Sequence, residues 1–290
     1  SLVDDMLQPG FNIKYKYYIF DGEKPTAMLG ILCEELINIL NNPNKGVIIT
    51  TDNELILATI KRLGLWKSTK DVDVLLNKFT VSAKQYVEAM VASVGKTLIT
   101  NILFHEAEEM VAILKTHEYS RDIYKKDLLH QVEINFEYAN FKFLSYLDYV
   151  GVNHENKTIK GIDLKTGSNS VSEFTSNFMK YRYYIQAMVY QIALNNYKYD
   201  NGLDDYEILG FEFLYCSRSE KIPTILLFTE KWENCALNGF TTTSGYKYRG
   251  LDELLESITW HWKNEVFNMT REQYENKGHI KINDEFINEL

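Results

Sequence analysis

Asp163 and Lys165 stand two residues apart in Gly161-Ile162-Asp163-Leu164-Lys165-Thr166-Gly167, shortly after Asp148-Tyr149-Val150. Successive side chains of a β-strand alternate sides, so on a strand Asp163 and Lys165 leave the same face. A carboxylate beside an ammonium is what metal-assisted phosphodiester cleavage requires. Carboxylates hold a divalent ion, and the lysine orients or helps deprotonate water, or offsets charge developing on phosphate. Asp148 and Asp163 are the candidate metal ligands. As hard oxygen donors they suit Mg²⁺ or Mn²⁺, with water and substrate phosphate completing the shell. The bland alternative is a turn aspartate and a solvated strand pair. The apolar Ile162 and Leu164 and the helical stretch downstream weigh against it.

Such a site needs strands to hold the acids and a helix to cover them. Leu128 to Tyr138, Phe141 to Val150 and Lys157 to Lys165 are strand-like runs with short connections, which makes them antiparallel neighbours. From Val171 to Tyr197 the period becomes helical, with Phe174, Phe178, Tyr181, Ile185, Met188 and Ile192 along one side. Ile208 to Cys216 and Ile222 to Thr229 read as a hairpin, and a helix is expected near Leu251 to Phe267. Before this block, a strand is expected over Ile13 to Phe20 and a helix from about Thr26 to Leu40, stopped by Asn41-Asn42-Pro43. A short strand follows over Gly46 to Thr51. Asp52 is a candidate N-cap for a helix Asn53 to Leu63, and a longer helix runs from about Ser82 to His117, broken near Gly95.

In this order, helix, three strands, helix and two strands, Asp148 ends one strand and Asp163-Leu164-Lys165 lies in the next. The arrangement resembles the PD-(D/E)XK nuclease superfamily, and within it the RecB-like and phage-exonuclease branch. Asp163-Leu164-Lys165-Thr166-Gly167 is similar to that branch's D-hydrophobic-K-T-G motif, and Gln186 with Tyr190 to its Q-x-x-x-Y signature. The resemblance covers roughly residues 100–230. It implies an α/β fold with a restriction-endonuclease-like core, a mixed central sheet flanked by helices. One domain is expected, with the core over about 96–230, an N-terminal elaboration over 1–95 and a C-terminal helical elaboration over 231–290.

The resemblance also implies roles residue by residue. It adds the backbone carbonyl of Leu164 to the metal shell and makes the helix-borne His105 a candidate ligand. The branch's small residue one turn before that histidine is replaced here by Asn101-Ile102. A lone helix histidine also suits a core or surface place, and Glu106 or Glu109 could supply an acid instead. Glu133 matches an acidic residue of the first core strand, where it would orient other groups; an exposed strand carboxylate fits the pattern as well. Gln186 and Tyr190 share a helix face, to contact phosphate or brace Lys165, or else to serve as ordinary interior polar groups. Lys180 and Arg182, within Lys180-Tyr181-Arg182-Tyr183-Tyr184, are candidate DNA-phosphate contacts, and Tyr246-Lys247-Tyr248-Arg249 is a second, weaker basic and aromatic cluster.

Two look-alikes fail on spacing. Gly95-Lys96-Thr97 lacks the earlier glycine of a P-loop, since Met90 stands there, and His105-Glu106 lacks the second histidine of a zincin, since Glu109 occupies its place. Cys33, Cys216 and Cys235 are scattered, which argues against a disulfide framework, a structural zinc or an iron–sulfur cluster. The net charge of −9 excludes a uniformly basic surface, so DNA would be held by a local groove. No apolar run approaches the ~20 residues of a membrane span. Ser1-Leu2-Val3-Asp4-Asp5 has none of the marks of a signal peptide. A soluble cytoplasmic protein is therefore expected, in the host cytoplasm if phage-encoded.

The reading from sequence is a Mg²⁺- or Mn²⁺-dependent deoxyribonuclease, an exonuclease of phage-type or bacterial recombination and repair. Its partner is DNA, with room for a recombination or single-strand-binding protein and for homo-oligomers. A structure-specific or restriction-type endonuclease and a non-catalytic DNA-binding or assembly protein on a nuclease fold are the rivals. Retention of both Asp163 and Lys165 counts against the last.

Overall fold

A computed structural model describes residues 1–41, 53–124 and 128–279. The chain divides into two compact units, Ser1–Ile113 and Leu114–Leu290.

The first unit carries α1 (Leu2–Leu7), α2 (Ile13–Lys16), β1 (Tyr17–Phe20), α3 (Ala27–Leu40), α4 (Asn53–Leu63), α5 (Val72–Lys78), α6 (Val81–Ala92), β2 (Thr97–Thr100) and most of α7 (Asn101–Thr116). α3 packs on α4 and α6 around Leu32, Leu36, Ile60 and Val87, and β1 pairs in parallel with β2. The strand expected from Ile13 begins only at Tyr17. The Asn12 side chain accepts from the Lys14 amide and winds the chain into a helical turn first. The long helix expected from Ser82 to His117 is interrupted by β2, because Gly95 takes a positive φ and ends the helical path. α5 falls where no element was expected. The strand expected over Gly46 to Thr51 and the Asp52 cap lie outside the described residues.

The second unit is built on a five-stranded mixed sheet in the order β3 (Leu128–Tyr138), β4 (Phe141–Asn153), β5 (Thr158–Gly167), β6 (Glu207–Ser217), β7 (Pro223–Phe228). All neighbours are antiparallel except β5 and β6, which run in parallel. A parallel pair needs a crossover, and α8 (Val171–Lys180) with α9 (Tyr183–Asp200) supplies it. The single helical stretch expected over Val171 to Tyr197 is therefore two helices. Arg182 adopts φ +55 between them, a left-handed conformation that turns the chain. α8 begins in a capping box: the Ser170 hydroxyl accepts from the Glu173 amide, and the Glu173 carboxylate accepts from the Ser170 amide. β8 (Phe240–Thr241) and β9 (Lys247–Tyr248) form a hairpin after α10 (Glu230–Asn238). α11 (Leu251–Asn264) and α12 (Arg271–Glu275) follow.

α9 lies across β3, β4, β5 and β6 and buries Tyr184, Ala187 and Leu194 completely. Each large apolar side chain so buried contributes roughly 1.5–3 kcal/mol relative to exposure. The close approach depends on Gly161. A Cβ there would lie 2.6 Å from Leu194 Cδ1 and 2.9 Å from Phe211 Cδ2, and both of those side chains are buried. Gly161→Ala should overpack this region and cost about 1–3 kcal/mol of unfolding free energy. A urea midpoint equal to wild type would show that α9 can lift away from β5 freely.

Candidate active site

β4 and β5 pair from Asn153↔Thr158 to Tyr149↔Ile162 and then part. β5 continues along β6 to Gly167, and β4 continues along β3 to Phe141. Asp148 and Asp163 are the first residues past the last pair, at the apex of this fork. Asp148 bridges it: its Oδ2 accepts the Leu164 amide at 2.9 Å, a bond that stands in for the ladder partner β4 no longer offers. Its Oδ1 accepts from Gln131 Nε2 at 2.9 Å.

Asp163 and Lys165 share the face of β5 that carries Gly161 and looks onto α9, as their spacing predicts. Asp163 is 3% exposed, and Lys165 Nζ lies 2.7 Å from its Oδ2. Burial works against the Lys165 charge, but the Asp163 carboxylate outweighs it and holds the ammonium above its ordinary pKa. The same ammonium sits 4.8 Å from the centre of the Tyr183 ring, a cation–π contact. From α9, Gln186 Nε2 donates to the Tyr190 hydroxyl at 3.0 Å and reaches Asp163 Oδ1 at 3.4 Å. Burial raises the Tyr190 pKa, and the charges of both Asp163 and Asp148 raise it further. Asp148, Asp163, Lys165, Gln186 and Tyr190 thus occupy one locale. A cavity of about 310 Å³ opens beside it, lined by Lys165, Asn169, Tyr181, Tyr183 and Tyr215 among others.

The structure places the other expected site residues as follows. Glu133 is exposed and accepts from the Tyr146 hydroxyl at 2.9 Å and from Asn135 Nδ2 at 3.2 Å. Its strand neighbours Ile134 and Phe136 point into the core that α9 covers, so Glu133 leaves the opposite face of the sheet from Asp163. His105 belongs to the N-terminal unit. It is exposed on α7 and shares a 2.9 Å hydrogen bond with Glu108. The Leu164 side chain is buried, and its amide is committed to Asp148. Lys180 and Arg182 are exposed at the α8–α9 corner.

Gln131 and Tyr183 touch the catalytic candidates without having been singled out for it. Gln131 was findable. A two-residue turn at Ala139-Asn140 sets the β3–β4 register, and that register places Gln131 across from Asp148. Gln131 itself has φ +47, an uncommon conformation for a residue other than glycine, and its side chain reaches the carboxylate from there.

The donor set fits a small hard cation. Mg²⁺ is held by one or two carboxylates while keeping several waters for substrate phosphate to displace. Asp148 and Asp163 are such a pair. Among the described residues no group of three or more His, Cys, Asp or Glu side chains gathers as a metal site.

No family model matches the sequence, and no curated protein does. Among solved structures, the chain aligns with "Putative exonuclease" from Eubacterium rectale at 14% identity, over 90% of this chain and 96% of that one, with a TM-score of 0.42. At that distance the likeness assigns neither fold nor activity. No described helix is long and apolar enough to cross a membrane.

Removing the Lys165 ammonium leaves a nearly inaccessible carboxylate without its cation. Lys165→Ala should therefore destabilise the metal-free protein by about 3–5 kcal/mol at neutral pH, as breaking a buried pair does. Gln186→Ala should cost less, about 1–3 kcal/mol, for the removal of a neutral donor. Denaturant unfolding in EDTA measures both, and the reverse ranking would reassign what holds Asp163.

Proposed function

We propose that this protein is a Mg²⁺- or Mn²⁺-dependent deoxyribonuclease, an exonuclease that hydrolyses phosphodiester bonds in phage-type or bacterial recombination and repair. The observation that carries the reading is the fork between β4 and β5. There Asp148 and Asp163 meet, with Lys165 paired to Asp163 beside an open cavity. When bound by the two carboxylates, the divalent ion would supply Lewis-acid polarisation of phosphate and an activated water.

The chain's own groups do the positioning. Asp148 is fixed in orientation by the Leu164 amide and the Gln131 amide group, so its carboxylate keeps a set direction. Gln186 and Tyr190 brace Asp163 from α9. The Lys165 ammonium, held by Asp163 and the Tyr183 ring, is placed as a hydrogen-bond donor toward charge that develops on a phosphate in the adjoining cavity. End-dependence is the part of the reading carried by Gln186 and Tyr190, since their Q-x-x-x-Y spacing resembles recombination exonucleases.

Hydrolysis of linear duplex should start at its ends, vanish in EDTA and return with Mg²⁺ or Mn²⁺. Asp163→Asn should abolish it, and Lys165→Ala should lower turnover by about two orders of magnitude, the effect of losing one preorganised electrostatic group. Closed circular DNA in the same reaction should persist. Rapid linearisation of the circle would make the enzyme an endonuclease, and wild-type turnover in Asp163→Asn would remove the site.

A further inference from the structure

The two basic and aromatic clusters of the sequence, Lys180–Tyr184 and Tyr246–Arg249, fold against each other. The fully buried Tyr184 donates its hydroxyl to the Arg249 carbonyl at 3.2 Å, and its ring meets those of Phe240 and Tyr248 edge-on. Phe240 and Tyr248 stack across the β8–β9 pair at 5.1 Å. The hairpin is thereby seated on the start of α9. Gly250 closes the seat, since a Cβ there would meet the Leu237 carbonyl oxygen at 2.2 Å.

Between the α8–α9 corner and the hairpin lies a cavity of about 450 Å³, lined by Lys180, Arg182, Tyr246, Lys247, Tyr248 and Arg249. Lys247 is paired with Glu253 at 2.6 Å. Among the described residues no carboxylate is paired with Lys180, Arg182 or Arg249, and all three are exposed. Lys180, Arg182 and Arg249 set a local positive field around one depression on a chain whose net charge is −9, with the Glu253 carboxylate near enough to Arg249 to act on it. The N-terminus of α9, which begins at Tyr183, adds the positive end of its dipole. Tyr246 is 62% exposed, and its ring meets that of Tyr248 edge-to-face at 4.7 Å.

The corner separates this cavity from the one beside Lys165. Tyr181 and Tyr183 line the Lys165 cavity, while Lys180 and Arg182 line the basic one. Four consecutive residues span at most about 11 Å at 3.8 Å per step. An unpaired strand is more extended than a stacked duplex, so one strand can reach both cavities.

We infer that the cavity between the α8–α9 corner and the β8–β9 hairpin binds a backbone phosphate of single-stranded DNA, a few nucleotides from the bond positioned at Lys165. The inference rests on the nuclease reading above and extends it. Lys180, Arg182 and Arg249 hold the phosphate, and Tyr246 takes an unstacked base, which only an unpaired strand presents. The cavity is the size of a small-ligand site and receives a nucleotide rather than a duplex.

Fluorescence anisotropy of the full chain with a short labelled oligothymidylate in EDTA tests this separately from cleavage. Arg182→Gln with Arg249→Gln should weaken binding at least about tenfold at low salt. It should also flatten the slope of log affinity against log salt by about 0.7, the contribution of one single-strand phosphate that is no longer neutralised. Arg249→Lys should keep the slope. Arg249→Gln alone, on an exposed hairpin side chain, gives half the change if the double variant does not fold. Unchanged affinity and slope in folded variants of an enzyme that still degrades DNA would overturn the phosphate site and leave the nuclease reading standing. Wild-type protein that neither binds the strand nor cuts DNA would overturn both. An equal loss for blunt duplex would overturn the single-strand assignment.

Discussion

Everything at the candidate centre depends on one substitution of partners: where β4 and β5 cease to pair, the Asp148 carboxylate takes the Leu164 amide. A sheet that opens internally leaves backbone donors without acceptors, and a buried donor without an acceptor is costly. A side chain that satisfies the opening is therefore held by the fold itself. Asp148 is fixed in place because β5 needs it, and Asp163 emerges on the next turn of the pleat with its side chain toward α9. The fork is thus a structural solution that also concentrates two negative charges at an opening within the sheet.

The second requirement is a cover that tolerates those charges. α9 provides it by pressing hydrophobic Tyr184, Ala187 and Leu194 against the sheet, while Gln186 and Tyr190 present polar atoms at the level of Asp163. Gly161 sets how near the helix comes, and that distance decides whether Gln186 reaches the carboxylate at all. Packing and polar satisfaction share one helix and one register, so the hydrophobic core and the charged cluster are positioned together.

Much of this was legible in the residues. The alternation of β3, β4 and β5, the shared face of Asp163 and Lys165 and the polar pair Gln186/Tyr190 follow from periods of 2 and 3.6. The short links between the first three strands gave their antiparallel order. What was not legible were features set by single backbone conformations or by distant packing. No periodicity reveals that Arg182 turns left-handed and splits one helical stretch in two, or that Asn12 winds a turn before β1. Glu133 is acidic at a matching position in the strand, yet strand parity sends it to the other face; Ile134 and Phe136 held that information. The seating of the hairpin on α9 joins residues far apart in the chain through Tyr184, which local pattern does not reach.

That seating has a consequence for how such a chain can change over time. The buried phenol of Tyr184 grips the main chain at Arg249, not its guanidinium, and the ring stack beneath involves Phe240 and Tyr248. The fold therefore specifies where position 249 sits while leaving its side chain uncommitted. Scaffold and cavity rim are written in different atoms of the same residue. Substitutions at position 249 can change the charge of the rim while the hairpin keeps its seat on α9.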